Sequence, residues 1–260
     1  MQQELLFNPY RVCSEADLNQ ISALTKFRQI GALFMVYSIA IDGPAGAGKS
    51  TIAKKIAKEL GFIYVDTGAM YRAVALYLMR NQIAADESAK ISQACNEVDV
   101  SIEYVDGEQQ VILNGENVNG FIRTEEVGMM TSASSKNKDV RMKMVELQRQ
   151  LASKTSVVMD GRDIGTYVLP NADVKIYLTA SSAERARRRH VELTAKGVTC
   201  DIAEIEADII ARDHQDMTRE FAPLCQAEDA TLVDSSDMTI DEVVDEIINI
   251  FNLKANAYKA

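Results

Sequence analysis

Gly43 to Ser50 read GPAGAGKS and follow directly on the apolar run Val36-Tyr37-Ser38-Ile39-Ala40-Ile41. This is the G-x-x-x-x-G-K-[ST] spacing of a phosphate-binding loop, and it constrains the fold as much as the ligand. A strand must deliver the loop and a helix must leave it, so that backbone N–H groups and a helix N-terminus converge on phosphate oxygens. The β-rich run supplies the strand, and Thr51 to Leu60 form an amphipathic helical stretch closed by Gly61. Gly43, Pro44, Ala45, Gly46, Ala47, Gly48, Lys49, Ser50 and Thr51 are therefore expected to wrap the phosphates of a nucleoside triphosphate. The glycines let the backbone approach the anion, Lys49 places a point charge on the terminal phosphates, and Ser50 offers a hydroxyl to Mg²⁺.

The rest of the composition limits what else the chain binds. A net charge of −10 over 260 residues provides no general basic field for nucleic acid. An anionic ligand must instead be held by a local cluster, such as Arg185, Arg187, Arg188 and Arg189. The four cysteines form no C-x-x-C pair, and with two histidines there are too few ligands for a zinc site. Reduced thiols fit a cytoplasmic location. Lys26 and Arg28 ahead of the apolar residues Ile30 to Val36 resemble the start of a signal peptide, but cleavage there would endanger the loop-delivering strand. The run is also too short to span a membrane before Asp42 interrupts it.

Short β-rich runs alternate with helical stretches, which predicts an α/β fold, a parallel sheet with helices on both faces. The expected strands are Val36–Ile41, Phe62–Val65, Ser156–Met159, Val174–Leu178 and Thr231–Val233. Three of them run into Asp42, Asp66 and Asp160, at the carboxyl edge where such sheets meet ligands. Helices are expected near Gly68–Arg80, Val140–Ser153, Ala183–Lys196, Ile202–Asp216 and Ile240–Asn252. Between Asp99 and Val118 the period changes to alternation, with turns at Asp106-Gly107 and Asn114-Gly115, so a small antiparallel sheet is inserted in the core. Residues 1–34 hold a candidate helix with a Ser14 cap but no chemistry, and read as a dispensable extension of a domain covering residues 35–260.

Three clusters imply a second, phosphorylated ligand. Asp66-Thr67-Gly68-Ala69-Met70-Tyr71-Arg72 leaves the second strand and opens a helix, which suits a phosphomonoester. Asp160-Gly161-Arg162-Asp163 leaves the third strand. Ala183 to Arg189, with Arg212, Asp216 and Arg219, suits a cationic cover whose like charges repel until phosphate lies between them. Each has a plainer alternative: a surface pair at Tyr71-Arg72, an ion pair between Arg162 and Asp163, and a solvated helix face at Arg187. A GTPase is disfavoured, because Asn137-Lys138-Asp139-Val140 sets its aspartate one place too early for a guanine reader.

GPAGAGKST, DTGAMYR, the stretch Asn119 to Val127, DGRDIGTYVLP and the Arg212…Arg219 segment together resemble the bacterial-type cytidylate kinase family, in order from about Ser38 to Phe251. The resemblance implies a phosphate-loop nucleoside monophosphate kinase fold with a five-stranded parallel sheet, a small antiparallel insertion at about 95–135 and a short lid at about 182–219. It implies ATP with Mg²⁺ as donor and CMP or dCMP as acceptor, with no nucleic acid, no membrane and a monomeric enzyme. Carried over, Thr67, Tyr71 and Arg72 lie on the CMP side, and Arg162 and Arg219 hold its phosphate with Arg72. Ser132, Arg141 and Asp163 read the cytosine, and Asp216 contacts the ribose. Lys49, Arg162, Arg188, Arg212 and Arg219 are the expected catalytic cations. A kinase for UMP or shikimate, or an ATP-binding module without turnover, are the competing readings.

Overall fold

The computed structural model describes residues 36–105 and 108–257. In chain order they form β1 (Ser38–Asp42), α1 (Lys49–Leu60), β2 (Ile63–Asp66), α2 (Thr67–Arg80), α3 (Ser88–Ala94), β3 (Val100–Val105), β4 (Glu108–Leu113) and β5 (Glu116–Asn117). Then come α4 (Glu125–Ser134), α5 (Lys138–Ala152), β6 (Val157–Gly161), a π-helical turn (Ile164–Val168), β7 (Val174–Thr179), α6 (Ser182–Ala195), α7 (Ile202–Thr218), β8 (Thr231–Asp234) and α8 (Ile240–Ala257). All five expected core strands and five further helices are present, with ends shifted by a residue or two except at the last helix, which runs five residues further, to Ala257. The expectations for residues 1–34 and for the Asp106-Gly107 turn lie outside the described residues.

The main sheet has the order β2-β6-β1-β7-β8 with every pair parallel. Its two faces separate by alternate residues, as a pleated strand requires. Ala40, Val65, Val157 and Met159 join one core with α2, α5 and the small sheet. Ile39, Ile41, Val158, Val174, Ile176 and Leu178 join the other, with α1 and α8. Burial on both sides is why these strands read as near-continuous apolar runs. Each fully buried Ile or Leu contributes about 1.5–3 kcal/mol relative to exposure, so the pattern holds the register firmly.

Strand order also sets where ligands go. From β1 the chain steps outward to β2, while β6 and β7 later take the places on either side of β1. Oppositely directed crossovers leave a crevice at the carboxyl ends of the strands at such a switch point. β1, β2 and β6 all finish there, in Asp42, Asp66 and, within β6, Asp160.

The inserted sheet, β3-β4-β5, is antiparallel, and Asn114 and Gly115 both adopt positive φ at its second turn. Tyr104 donates its hydroxyl to the Tyr64 carbonyl at 2.8 Å, and the Asp66 N–H donates to Gln109 Oε1 at 2.7 Å. The insertion is thereby fastened to edge strand β2 beside the crevice. Two helices escaped the sequence reading. α3 is short and lacks a side-chain cap; α4 is rich in Gly, Thr and Ser, so its packing against α2, with Val127 buried, rather than propensity holds it.

Gly43 is the tightest joint. Its φ is +149°, and a Cβ there would lie 1.9 Å from the Leu178 carbonyl oxygen of β7. Gly43→Ala is expected to cost at least about 2 kcal/mol from overlap and backbone strain combined. The urea midpoint of the variant should fall accordingly, and a midpoint equal to the parent's would refute this account of the β1–β7 joint.

Candidate active site

The loop after β1 ends in Gly48, in the left-handed region at φ +86°, and α1 starts at Lys49. Lys49 is buried and donates from Nζ to the Pro44 carbonyl at 2.6 Å. Burial, reinforced by Arg162, pushes its ammonium well below the ordinary lysine range. A phosphate arriving in the loop would reverse that bias. The crown of the loop is held from outside: Arg185 of α6 donates to the Ala45 carbonyl at 2.9 Å, and Asp213 of α7 accepts from the Ala45 N–H at 3.3 Å. Arg185 and Asp213 are themselves a buried ion pair at 2.6 Å.

At the end of β6, Asp160 Oδ2 accepts from Ser50 Oγ at 2.9 Å and Oδ1 accepts from the Tyr64 hydroxyl at 3.0 Å. Burial and then the neighbouring Asp66 raise the Asp160 carboxyl above its usual range, and burial drives the Tyr64 phenol strongly upward. A hydroxyl and a carboxylate side by side at the loop mouth are hard oxygen donors of the kind Mg²⁺ selects. Among the described residues no group of three metal-binding side chains exists.

Asp66 caps α2 by accepting from the Ala69 N–H at 2.9 Å and pairs with Arg123. Thr67, buried, donates its hydroxyl to the Asp160 carbonyl at 2.6 Å. Across the crevice, Asp163 takes Arg141 on one oxygen and Arg219 on the other, the latter at 3.2 Å. Arg141 is 2 % exposed, lies 5.7 Å from the Tyr71 and Phe221 ring centres, and has an Nε–H with no partner. Burial works against its charge, but Tyr71 and Asp163 outweigh that and hold its pKa up. Burial raises the Tyr71 phenol to about 12. Arg162 donates from Nε to Asp216 Oδ2 at 2.7 Å. Arg162 and Asp163 therefore pair elsewhere, not with each other.

Most of these line one cleft of about 760 Å³, with Arg72, Ser132, Arg188, Arg189 and Arg212, while Tyr64, Asp213 and Phe221 support it from outside the lining. Eleven Arg and Lys side chains line it against six carboxylates, in a chain of net charge −10. Among the described residues, Arg72 and Arg212 are the cleft arginines with neither an ion-pair nor a hydrogen-bond partner. Burial and nearby cations, Arg123 for the first and Arg162 for the second, depress the pKa of both. The far wall continues to Ser235, Met238, Thr239, Ile240 and Val243.

Two expectations need correcting. The arginines of α6 do not depend on phosphate to coexist: Glu184 pairs with Arg187 and Arg188, and Glu192 with Arg189 and Lys196. The (i,i+3) and (i,i+4) spacing of acid and base neutralises the helix face. Asp42, expected to face ligand, instead turns behind the site. The Ile164 and Gly165 N–H groups each donate to it at 2.7 Å, which anchors the π-helical turn after Asp163. Residues the sequence reading passed over include Tyr64, Arg123, Asp213 and Gln215. Only Arg123, inside the stretch Asn119 to Val127, carries any signal in the sequence.

A family model described as cytidylate kinase matches residues 39–253. The chain belongs to the cytidylate kinase family. It is an enzyme, a nucleoside monophosphate kinase. The cytidylate kinase of Caldicellulosiruptor bescii is 51 % identical over 82 % of this chain and 95 % of its own length. That of Desulfitobacterium hafniense is 51 % identical over 83 % and 93 %, and that of Lactobacillus gasseri 48 % over 85 % and 96 %. In this cytidylate kinase family member, no described helix is long and apolar enough to cross a membrane.

Asp42 generates a pH prediction. Desolvation raises its pKa from 3.8 to about 6, against the two N–H bonds that lower it. The folded state thus keeps a proton that the unfolded chain has already released, so the contribution of Asp42 to stability falls as pH rises through this interval. Unfolding free energies of the parent and of Asp42→Asn, measured between pH 4.5 and 6.5, should show the parent losing stability relative to the variant as pH rises. Parallel profiles would mean that Asp42 is ionised throughout.

Proposed function

We propose that the loop Gly43–Thr51 holds the phosphates of ATP and that CMP or dCMP lies across the cleft on α2, α4, α5 and the turn after β6. The reaction, phosphorylation of CMP or dCMP by ATP to give the diphosphate and ADP, is that of the family to which the chain belongs. The observation that carries the residue assignment is the pair of unpartnered guanidinium groups, Arg72 and Arg212, in a cleft where every other arginine is paired. Cations crowded together and depressed in pKa gain most from an anion.

Lys49 and the loop N–H groups neutralise the donor phosphates. Ser50 and Asp160 would hold Mg²⁺, which supplies further positive charge at the phosphate oxygens. Arg72, with Arg162 and Arg219, holds the acceptor phosphate beside the N-terminus of α2 at Thr67, and Arg212 faces the group in transit. The acceptor is already ionised, so no general base is needed; alignment and charge neutralisation are the work of the site. Ser132, Arg141 and Asp163 face the base, with Tyr71 packed against Arg141, and Asp216 faces the ribose. The carboxylate of Asp163 has about four acceptor positions and gives two of them to Arg141 and Arg219, which leaves room for the exocyclic amine of cytosine. Arg188 acts differently from the other expected catalytic cations. Its guanidinium is committed to Glu184 and to the Ser235 carbonyl at 2.6 Å, so it braces α6 against the wall beyond β8. A monomer acting in the cytoplasm completes the proposal. ADP release measured with CMP, dCMP, UMP and shikimate tests the assignment, and a preference for UMP or shikimate would overturn it.

Lys49→Ala should lower kcat by about two to three orders of magnitude, because the lost charge acts on the phosphoryl group as it moves. A folded variant with near-normal kcat would remove the loop assignment. Asp163→Asn can turn its amide to donate, so the preference for CMP over UMP in kcat/KM should shrink by about 1–3 kcal/mol. An unchanged ratio would leave Asp163 as a brace between Arg141 and Arg219.

A further inference from the structure

Gln215 lies on α7 between Arg212 and Asp216, and its side chain leaves that helix to reach α4. Its Nε2 is 2.9 Å from Ser132 Oγ and 3.4 Å from the Ser132 backbone oxygen. The second contact sets the orientation of the amide. A backbone carbonyl only accepts, so the NH₂ end of Gln215, not its carbonyl end, must face Ser132. The Ser132 hydroxyl then receives an N–H from Gln215 and keeps its own hydrogen, and among the described residues no acceptor takes that hydrogen. Ser132 lines the cleft together with Arg141 and Asp163.

We infer that Gln215 is a positioning residue for base specificity: it fixes the Ser132 hydroxyl as a hydrogen donor toward the pyrimidine. The inference rests on the reading of Ser132 as a base contact. Along one edge, cytosine offers an exocyclic amine donor beside a ring nitrogen acceptor; uracil offers a carbonyl acceptor beside a ring N–H donor. A carboxylate acceptor at Asp163 and a hydroxyl donor at Ser132 complement the first edge and oppose the second. A free serine hydroxyl rotates and serves either base, whereas one already receiving a hydrogen bond is biased toward donating. Gln215 shares α7 with Arg212 and Asp216, so the hydroxyl is biased only while the helix that carries the phosphate and ribose contacts is in place.

The test is steady-state kinetics with CMP and UMP on Gln215→Leu, Gln215→Glu, Ser132→Ala and the double variant Ser132→Ala/Gln215→Leu. Gln215→Leu is expected to lower the CMP-to-UMP ratio of kcat/KM about three- to tenfold, the worth of one hydrogen bond, chiefly through KM for CMP. KM for ATP should not move, and adding the change to Ser132→Ala should have no further effect. Gln215→Glu keeps the shape but can only accept, so it draws the Ser132 hydrogen to itself and should lower the ratio at least as far. An unchanged ratio in both single Gln215 variants, or an equal loss in the Ser132→Ala background, would overturn the inference. If Ser132→Ala alone leaves the ratio and KM for CMP intact, Ser132 is no base contact, and the inference falls with that reading, whatever the Gln215 variants do.

Discussion

Ten arginines cannot line one cleft unless something keeps their charges from driving it open. Here that restraint is ion pairing. Asp66 holds Arg123, Asp163 holds Arg141 and Arg219, Asp216 holds Arg162, Asp213 holds Arg185, and Glu184 and Glu192 hold the arginines of α6. The exposed pairs on α6 are individually worth little. The buried ones act through geometry, since removing one partner would strand a desolvated charge. Each carboxylate fixes a guanidinium in position while leaving some of its N–H groups for a ligand.

The fold makes this network possible because the sheet sends its acidic strand ends to one edge. Asp66 and Asp160 reach the cleft directly. Asp42 works from behind, on the turn that follows Asp163. The inserted sheet is tied to β2 at Tyr64 and Asp66, the same residues that touch Asp160 and cap α2. A displacement of the insertion is therefore felt at Asp160 and at the start of α2.

Much of this was legible in the sequence. The phosphate loop needs a glycine at 43 for a backbone contact, and the strands announce themselves because burial on both faces makes them apolar throughout. α4 was not legible, since its Gly, Thr and Ser content suits a loop and only packing makes it helical. Nor was the division of labour among the carboxylates. Asp42, Asp66 and Asp160 all follow an apolar run, and only the three-dimensional course of the chain decides which turns inward. Asp213 and Gln215 sit in an ordinary helical stretch, and their roles depend on Ala45 and Ser132, 168 and 83 residues away along the chain. The charge repulsion expected along α6 overlooked the glutamates spaced to answer it.

The cleft is lined by more cations than carboxylates, in a chain of net charge −10, so the remainder of the chain is acidic. At physiological ionic strength the field of such charges fades over about 8 Å. A small anion that reaches the rim is drawn in, while one long enough to lie across the outside meets the negative remainder of the protein. Mononucleotides are short enough to place all their phosphates inside such a cleft, whereas a longer polyanion would have to lay most of its charge against an acidic chain.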